Sequence, residues 1–335
     1  MSEPAILARL LAGESLGREE VTALFGRIMD GEVAEPMIAA LLAAFAAKGE
    51  TAEEILGAAA AMRARARKVA HSRADAVDTC GTGGDGRGTF NVSTAAAFVA
   101  AAGGAPVAKH GNRAISSRSG SSDLLAALGV PVEVEPETSG RQLDEIGIAF
   151  LFAPLHHPAT RAVAPVRKAL GVRTIFNLLG PLTNPAGARR QLVGVFAAER
   201  VEPVARVLAG LGAEHALVVH GRDGLDEITT TTTTFVAEVR DGEVRTFELD
   251  AVTLGTARAR LEDLAGGTPE ENAARLARLL DGEPGALADL VALNAGAALY
   301  VAGRVATLRE GVETACELLA SGSARAKLEQ LRAFR

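Results

Sequence analysis

Tryptophan is absent, tyrosine occurs once (Tyr300), and aromatic residues make up only 4% of the 335-residue chain. Platforms that bind single-stranded nucleic acid stack bases on such rings, so recognition by stacked aromatics is excluded. A positive excess is missing too: 35 Lys and Arg face 41 Asp and Glu, a net charge of −6. With no global basic field to collect a polyanion, nucleic acid is not an expected partner. Cysteine is scarce, and Cys80 and Cys316 stand far apart without ligand spacing. That argues against a disulfide framework or a zinc site and makes a reducing cytoplasm the expected compartment. Met1-Ser2-Glu3-Pro4 lacks the basic start and apolar run of a signal peptide. The longest strongly apolar stretch, residues 95–108, is too short for a membrane span and contains Gly and Pro. Any anionic ligand must therefore be held by a local cluster.

What is present suggests two units, at roughly 150 residues per domain. Residues 1–68 read as helices only. Apolar positions recur at spacings of three and four through Ile6, Leu7, Leu10 and Leu11, then Val21, Leu24, Phe25 and Ile28, then Met37, Ile38, Leu41, Leu42 and Phe45. Gly13, Gly31 and Gly49 stand where C-terminal caps belong, Pro36 suits a first turn, and Thr51 with Glu54 forms a capping box. From about residue 72 strands and helices alternate. Strands are expected at 74–80, 104–109, 130–135, 191–196 and 215–220, and helices at 93–102, 122–128, 139–146 and 203–211. Asp241-Gly242 predicts a hairpin between 235–240 and 243–249, with helices from about 261 onward. This is the texture of an α/β fold: a small all-helical N-terminal domain plus a larger α/β domain with a mainly parallel central sheet. Pro-rich residues 158–185 break the rhythm and are expected to cross between the units.

Three loops carry the chemistry. Residues 81–94 place five glycines in eight positions after a strand, then open a helix with Ser93 and Thr94 in its first turn. Glycines admit positive φ and close backbone approach, so successive N–H groups and the helix N-terminus can face phosphate oxygens. The alternative is a tight structural turn. Gly81-x-Gly83-x-x-Gly86 also matches a dinucleotide fingerprint, but that site needs an acidic residue after the second strand, where this chain has Lys109 and His110. The second loop, 109–123, gathers Lys109, Arg113, Arg118 and four serines ahead of the helix expected at 122, a set suited to a polyphosphorylated anion, with a solvated loop as the bland reading. The third, 219–228, carries Asp226 and Glu227. Adjacent residues of an extended strand point opposite ways, so loop-borne coordination of Mg²⁺ is favoured over a joint acid–base pair, with a solvated turn as the alternative that the neighbouring anion loops weigh against. His156 and His157 read as turn residues and Cys80 as a buried small side chain rather than a nucleophile.

Taken with FNLLGPLTNP at 176–185, HHPATRAVAPVRKALGVRT at 156–174 and LNAGAALYVAG near the C-terminus, these loops resemble the anthranilate phosphoribosyltransferase family over essentially the whole chain. The resemblance implies the fold class shared by nucleoside phosphorylases and phosphoribosyltransferases. It implies transfer of the 5-phosphoribosyl group of phosphoribosyl pyrophosphate to anthranilate, releasing pyrophosphate, in tryptophan biosynthesis, with Mg²⁺ and as a homodimer. Carried over by position, it assigns phosphoribosyl pyrophosphate to Gly81, Gly84, Asp85, Thr89, Asn91, Val92, Ser93 and Thr94. From the second loop it adds Lys109, His110, Gly111, Asn112, Arg113, Ala114, Ile115, Ser116, Ser117 and Ser121. Anthranilate would meet Gly81, Asn112 and Arg167; His110 and Arg167 are the expected catalytic residues, and Ser93, Asp226 and Glu227 the expected metal ligands. Residues 1–70 with a crossing segment at about 160–185 would form the helical domain, and 71–159 with 186–335 the α/β domain that binds phosphoribosyl pyrophosphate. Two departures stand out: Ser122 where the family commonly has Ala, and the uninterrupted Thr run 229–234, read as a β-prone edge or a flexible linker.

Overall fold

A computed structural model describes residues 1–114 and 118–335. Its first elements are α1 (Glu3–Leu11), α2 (Arg18–Met29), α3 (Glu35–Lys48) and α4 (Ala52–Ala64). The capping box at α4 is closed on both sides: the Thr51 amide donates to Glu54 at 2.8 Å and the Glu54 amide donates to Thr51 Oγ1 at 3.3 Å. Past the ends of α1, α2 and α3, Gly13, Gly31 and Gly49 take φ of 79°, 77° and 85°, the left-handed backbone that lets the chain leave a helix without a Cβ penalty.

The alternating part runs β1 (Val77–Asp78), α5 (Val92–Ala102), β2 (Val107–Gly111), α6 (Ser121–Ala127), α7 (Pro136–Ile146) and β3 (Ile148–Phe152). Then come α8 (Ala153–His156), α9 (Ala164–Leu170), α10 (Phe176–Leu182), β4 (Arg190–Gly194), α11 (Val201–Gly210) and β5 (His215–Gly221). The hairpin β6 (Thr233–Arg240) and β7 (Glu243–Asp250) precedes α12 (Pro269–Leu280), α13 (Ala286–Val301), α14 (Leu308–Ala320) and α15 (Ser323–Ala333). The seven strands form one sheet in the order β3-β2-β1-β4-β5-β6-β7. Its ladders are parallel from β3 to β5 and antiparallel from β5 to β7. The hairpin turn is as expected, with Asp241 at φ 51° and Gly242 at φ 83°, both signs that a type I′ turn requires.

Each face of the sheet has its own core. Phe98, Leu124, Leu290 and Leu299 pack with β2, β3 and β5 on one side. On the other, Phe25, Leu41 and Phe45 of the first helices share a core with Val166, Phe176, Leu179 and Leu208. The segment around α9 and α10 thus buries its apolar side against the N-terminal helices rather than against the sheet alone.

Three expectations are corrected. Residues 130–135 form no strand: Pro131 has no N–H to give a ladder, and the place beside β2 is taken by β3. β3 itself is not among the expected strands; it is buried throughout, so it lacks the alternation that marks a half-exposed strand. The Thr run is neither an edge nor a loose linker at its start. Thr229 Oγ1 donates to Asp223 at 2.6 Å, Thr231 Oγ1 also donates to Asp223, and the Thr229 amide donates to Thr234 Oγ1 at 3.0 Å. Thr229, Thr230 and Thr234 are buried.

Candidate active site

The chain lays β1, β2 and β3 outward in one direction and β4 and β5 in the other. Between β1 and β4 the order reverses, and in open α/β sheets a ligand crevice forms outside the carboxyl ends of the strands at such a point. The loop after β1 lies there. The Thr82 amide donates to Gly194 O at 2.8 Å, and the Gly83 amide donates to Asp226 Oδ2 at 2.8 Å. Gly194 has no room for a side chain, since a Cβ would collide with the Asp226 carbonyl. Beyond it Gly83, Gly84, Gly86 and Gly88 all adopt positive φ, from 63° to 79°. Such a run curls backbone amides around a concavity that suits anions.

Asp226 and Glu227 both turn toward that loop. Glu227 Oε1 accepts from the Ser93 amide at 3.2 Å, at the first turn of α5. Residues 222–232 are irregular rather than a strand, so the alternation of an extended chain does not send the two carboxylates apart. Burial, and next the neighbouring Asp85, raise the Asp226 carboxyl to about 7. Burial and the charge on Asp226 raise Glu227 well above its usual value, with Lys109 opposing. Asp85 Oδ2 is buried with no partner among the described residues. Lys109 is itself buried, its Nζ 3.2 Å from Thr79 O and 3.3 Å from Ser93 Oγ. Three crowded carboxyls with an unsatisfied oxygen fit a divalent cation. Among the described residues no three of His, Cys, Asp or Glu make a ready metal cage. A hard ion that keeps waters and takes ligand phosphate oxygens needs only one or two carboxylates.

The loop after β2 is pinned by Asp123, whose Oδ2 accepts from the Ala114 and Gly120 amides, both at 2.9 Å. Asn112 O receives Ser121 Oγ at 3.2 Å and the Ser122 amide at 3.2 Å. The side chain of Asn91 joins this loop to the first one, its Nδ2 donating to Ser119 O at 3.0 Å. Arg113 pairs with Glu133 at 2.8 Å and Arg118 lies 3.8 Å from Glu271, both exposed. Ile115, Ser116 and Ser117 lie outside the described residues.

His110 is buried between the units. Its amide donates to Asp78 Oδ1 at 3.1 Å, Nδ1 lies 2.9 Å from Gly180 O, and Nε2 has no partner among the described residues. Burial and the nearby His157 lower its pKa to about 3, so the ring is neutral with Nδ1–H on Gly180 and a free lone pair on Nε2. The His157 ring stands edge-on at 5.1 Å, both its nitrogens unpartnered among the described residues. His156 and His157 stand where α8 ends and the chain turns into the short helical turn Pro158–Ala162, and both are buried. Arg167, half-buried on α9, lies over the Phe176 ring at 5.4 Å and makes no ion pair among the described residues. Burial lowers its pKa; an unpaired guanidinium in such a place is ready for a carboxylate. The Cys80 thiol is pushed far up by burial, which fits an inert side chain.

Sequence reasoning missed two contributors. Arg173 donates to Gly84 O and stacks on Phe196 at 4.4 Å, placing a cation against the glycine loop. Asn272 donates to Asn91 Oδ1 at 2.9 Å and accepts the Gly267 amide at 2.8 Å. The capping box of Thr268 and Glu271 before it marks a helix start but nothing in the sequence marks its place beside Asn91.

Comparison with known proteins agrees with this architecture. The family described as "Glycosyl transferase family, a/b domain" matches residues 73–325, and "Glycosyl transferase family, helical bundle domain" matches residues 4–66. The anthranilate phosphoribosyltransferase of Rhodopseudomonas palustris (strain BisB18) is 53% identical over 327 residues, 98% of this chain and 96% of that one. The Symbiobacterium thermophilum enzyme of the same name is 52% identical over 330 residues, 98% of this chain and 97% of its own. Among solved structures, anthranilate phosphoribosyltransferase from Thermus thermophilus superposes with a TM-score of 0.93 at 52% identity, covering 98% of both chains. The Saccharomyces cerevisiae enzyme in complex with PRPP and Mg gives 0.89 at 28% identity, covering 98% of this chain and 96% of that one. Fold, loop order and likeness over nearly the full length converge: this chain belongs to the anthranilate phosphoribosyltransferase family.

Proposed function

We infer that this chain transfers the 5-phosphoribosyl group from phosphoribosyl pyrophosphate to anthranilate, giving N-(5-phosphoribosyl)anthranilate and pyrophosphate in tryptophan biosynthesis. The observation that carries this reading is the meeting of the glycine loop, Lys109 and the Asp226–Glu227 pair at the sheet's reversal point. The phosphoribosyl donor is assigned to Gly81, Gly84, Asp85, Thr89, Asn91 to Thr94, Lys109 to Ser117 and Ser121. Ser93, Asp226 and Glu227 would hold Mg²⁺, which when bound with the donor supplies positive charge to the departing pyrophosphate.

Displacement at the ribose anomeric carbon passes through an oxocarbenium-like state, so the chief demand is to stabilise the leaving group's charge. Lys109 and the amides of residues 81–94 meet that demand from fixed positions. The amine of anthranilate is neutral near pH 7, so no base has to uncover its lone pair. A proton leaves nitrogen after attack, and an aryl ammonium is acidic enough for a weak acceptor. Nε2 of the neutral His110 ring suits that role or orients the acceptor ring. Arg167 holds the acceptor's carboxylate with Asn112 and Gly81 beside it, and packing of the helical unit over the crevice excludes water from a sugar cation that water would consume.

The division into a helical domain, 1–70 with about 160–185, and an α/β domain, 71–159 with 186–335, belongs to the same reading; the shared core of Phe25, Val166 and Phe176 supports it. So do a homodimer and a cytoplasmic setting, which rest on the family resemblance; among the described residues no helix is long and apolar enough to cross a membrane. Purified protein mixed with anthranilate should consume it only when phosphoribosyl pyrophosphate and Mg²⁺ are both present, followed by anthranilate fluorescence.

A further inference from the structure

The two chain links that join the units run side by side at the end of the sheet opposite the catalytic loops. Residues 64–69 lead toward β1 and residues 183–187 lead into β4, so both lie at the amino ends of neighbouring parallel strands. The Val69 amide donates to Pro185 O at 3.0 Å, tying the links together. Between them is a cavity of about 360 Å³ walled by Arg63, Ala66, Lys68, Val69, Pro185 and Ala186, among others. That space suits a molecule of about a dozen non-hydrogen atoms, at the small end of ligand cavities.

Its polar content is lopsided. Arg63 is half-buried, its Nε donates to Leu182 O at 2.6 Å, and its two terminal nitrogens have no partner among the described residues. Lys68 lines the same space, exposed and without an ion pair among the described residues. No Asp or Glu lines the cavity among the described residues. Asn184 is already committed, donating to Asp78 and Ala108 O at 2.8 Å and accepting from the Ala186 amide at 2.9 Å. Two cationic side chains, Arg63 with both terminal nitrogens unpartnered among the described residues and Lys68, thus line a cavity whose other walls are mostly Ala, Val and Pro. A partly buried guanidinium whose terminal nitrogens lack acceptors carries a desolvation cost that an anion relieves, and the apolar walls favour a body without further polar groups.

We propose that this rear cavity is a binding site for a small monocarboxylate with an apolar body, separate from the catalytic crevice. The carboxylate sits on Arg63 and Lys68, and the body lies against Ala66, Val69, Pro185 and Ala186. Because its walls come from both links, an occupant bridges the units at their junction.

Benzoate is a suitable probe, titrated by calorimetry into the wild-type protein and into Arg167→Ala, Lys68→Glu and Ala66→Leu variants. Lys68→Glu reverses one charge and Ala66→Leu fills the space, and both leave the Arg63–Leu182 bond intact. Two binding events are expected in the wild type. Arg167→Ala should weaken one of them, while Lys68→Glu and Ala66→Leu should each weaken the other at least about tenfold, a change of roughly 1.4 kcal/mol. A single event abolished by Arg167→Ala and untouched by the other two variants would overturn the rear site. Two events insensitive to Lys68→Glu and Ala66→Leu would overturn it as well. If Arg167→Ala spares both events while the rear variants remove one, the rear site stands and the role of Arg167 falls. Inorganic phosphate displacing benzoate from the rear event at equal concentration would overturn the apolar-body half of the proposal.

Discussion

Glu238, buried on β6, and the half-buried Asp226–Glu227 pair are acids beside the same strand, β5, and their surroundings treat them in opposite ways. Burial alone would raise Glu238, but hydrogen bonds from His215, Tyr300 and Arg245 outweigh it and hold the carboxyl at about 2. His215 Nε2 and Tyr300 Oη each lie 2.8 Å from Oε1, and Arg245 reaches Oε2 at 2.7 Å. Every oxygen there has a partner, as structural polar clusters require. At the carboxyl end of the sheet the acids crowd one another instead, and Asp85 Oδ2 stays unpartnered among the described residues. The contrast separates a fully satisfied cluster from one with crowded carboxyls and an unsatisfied oxygen, and perturbed acids of the second kind are concentrated at functional sites.

The sharpest way to break that contrast is to neutralise each cluster in turn. Asp226→Asn with Glu227→Gln should lower kcat/KM by about 10³-fold, in the range seen when a key electrostatic contact is removed, while leaving thermal stability equal or higher because repulsion is relieved. Steady-state kinetics and a melting curve on one preparation check both halves. Full activity with normal Mg²⁺ response would contradict the metal assignment.

The cations repeat the comparison. Arg245 is spent on Glu238, whereas Arg167 has no acidic partner among the described residues. Arg167→Ala should raise the KM for anthranilate by about 10- to 100-fold, the worth of a charge-assisted hydrogen bond, and leave the KM for phosphoribosyl pyrophosphate within about twofold. Equal effects on both substrates would remove its carboxylate role.

Glu238→Gln should do the reverse: kcat unchanged and stability lower by about 2 kcal/mol at neutral pH. Since the folded carboxyl lies at about 2 and an unfolded Glu near 4.3, the stabilisation is complete above the unfolded value. It is lost as pH falls toward the folded one. Urea titrations of wild type and variant should therefore converge in acid, and a constant gap down to about pH 2 would contradict the ion-pair account.

Smallest of all is the expected effect of pH on His110. With its pKa held at about 3, it contributes no limb to the kcat profile between about pH 5 and 8, where an ordinary His titrates. Wild type and His110→Gln should share one profile shape; a limb near neutrality that disappears in the variant would show a ring free to titrate.

Much of this is legible in the sequence wherever chemistry is local. Helix caps at Thr51 and Gly49, the Asp241-Gly242 turn and the anion loops announce themselves because one or two residues dictate the backbone there. β3 and the stretch 130–135 resist for opposite reasons: a buried strand shows no alternation, while Val130, Val132 and Val134 alternate without a ladder partner. The candidate site is readable as three separate loops, but their convergence depends on strand order. Partners such as Arg173 on Gly84 and Asn272 on Asn91 join residues 89 and 181 positions apart. The Thr run is opaque because its conformation is set by Asp223, a side chain whose contacts no local pattern reveals.

The central claim is tested most directly by following anthranilate fluorescence with purified protein, with phosphoribosyl pyrophosphate and Mg²⁺ supplied separately and together. Fluorescence should fall only in the complete mixture, with pyrophosphate released in equal amount; a steady signal in the complete mixture would contradict the assignment.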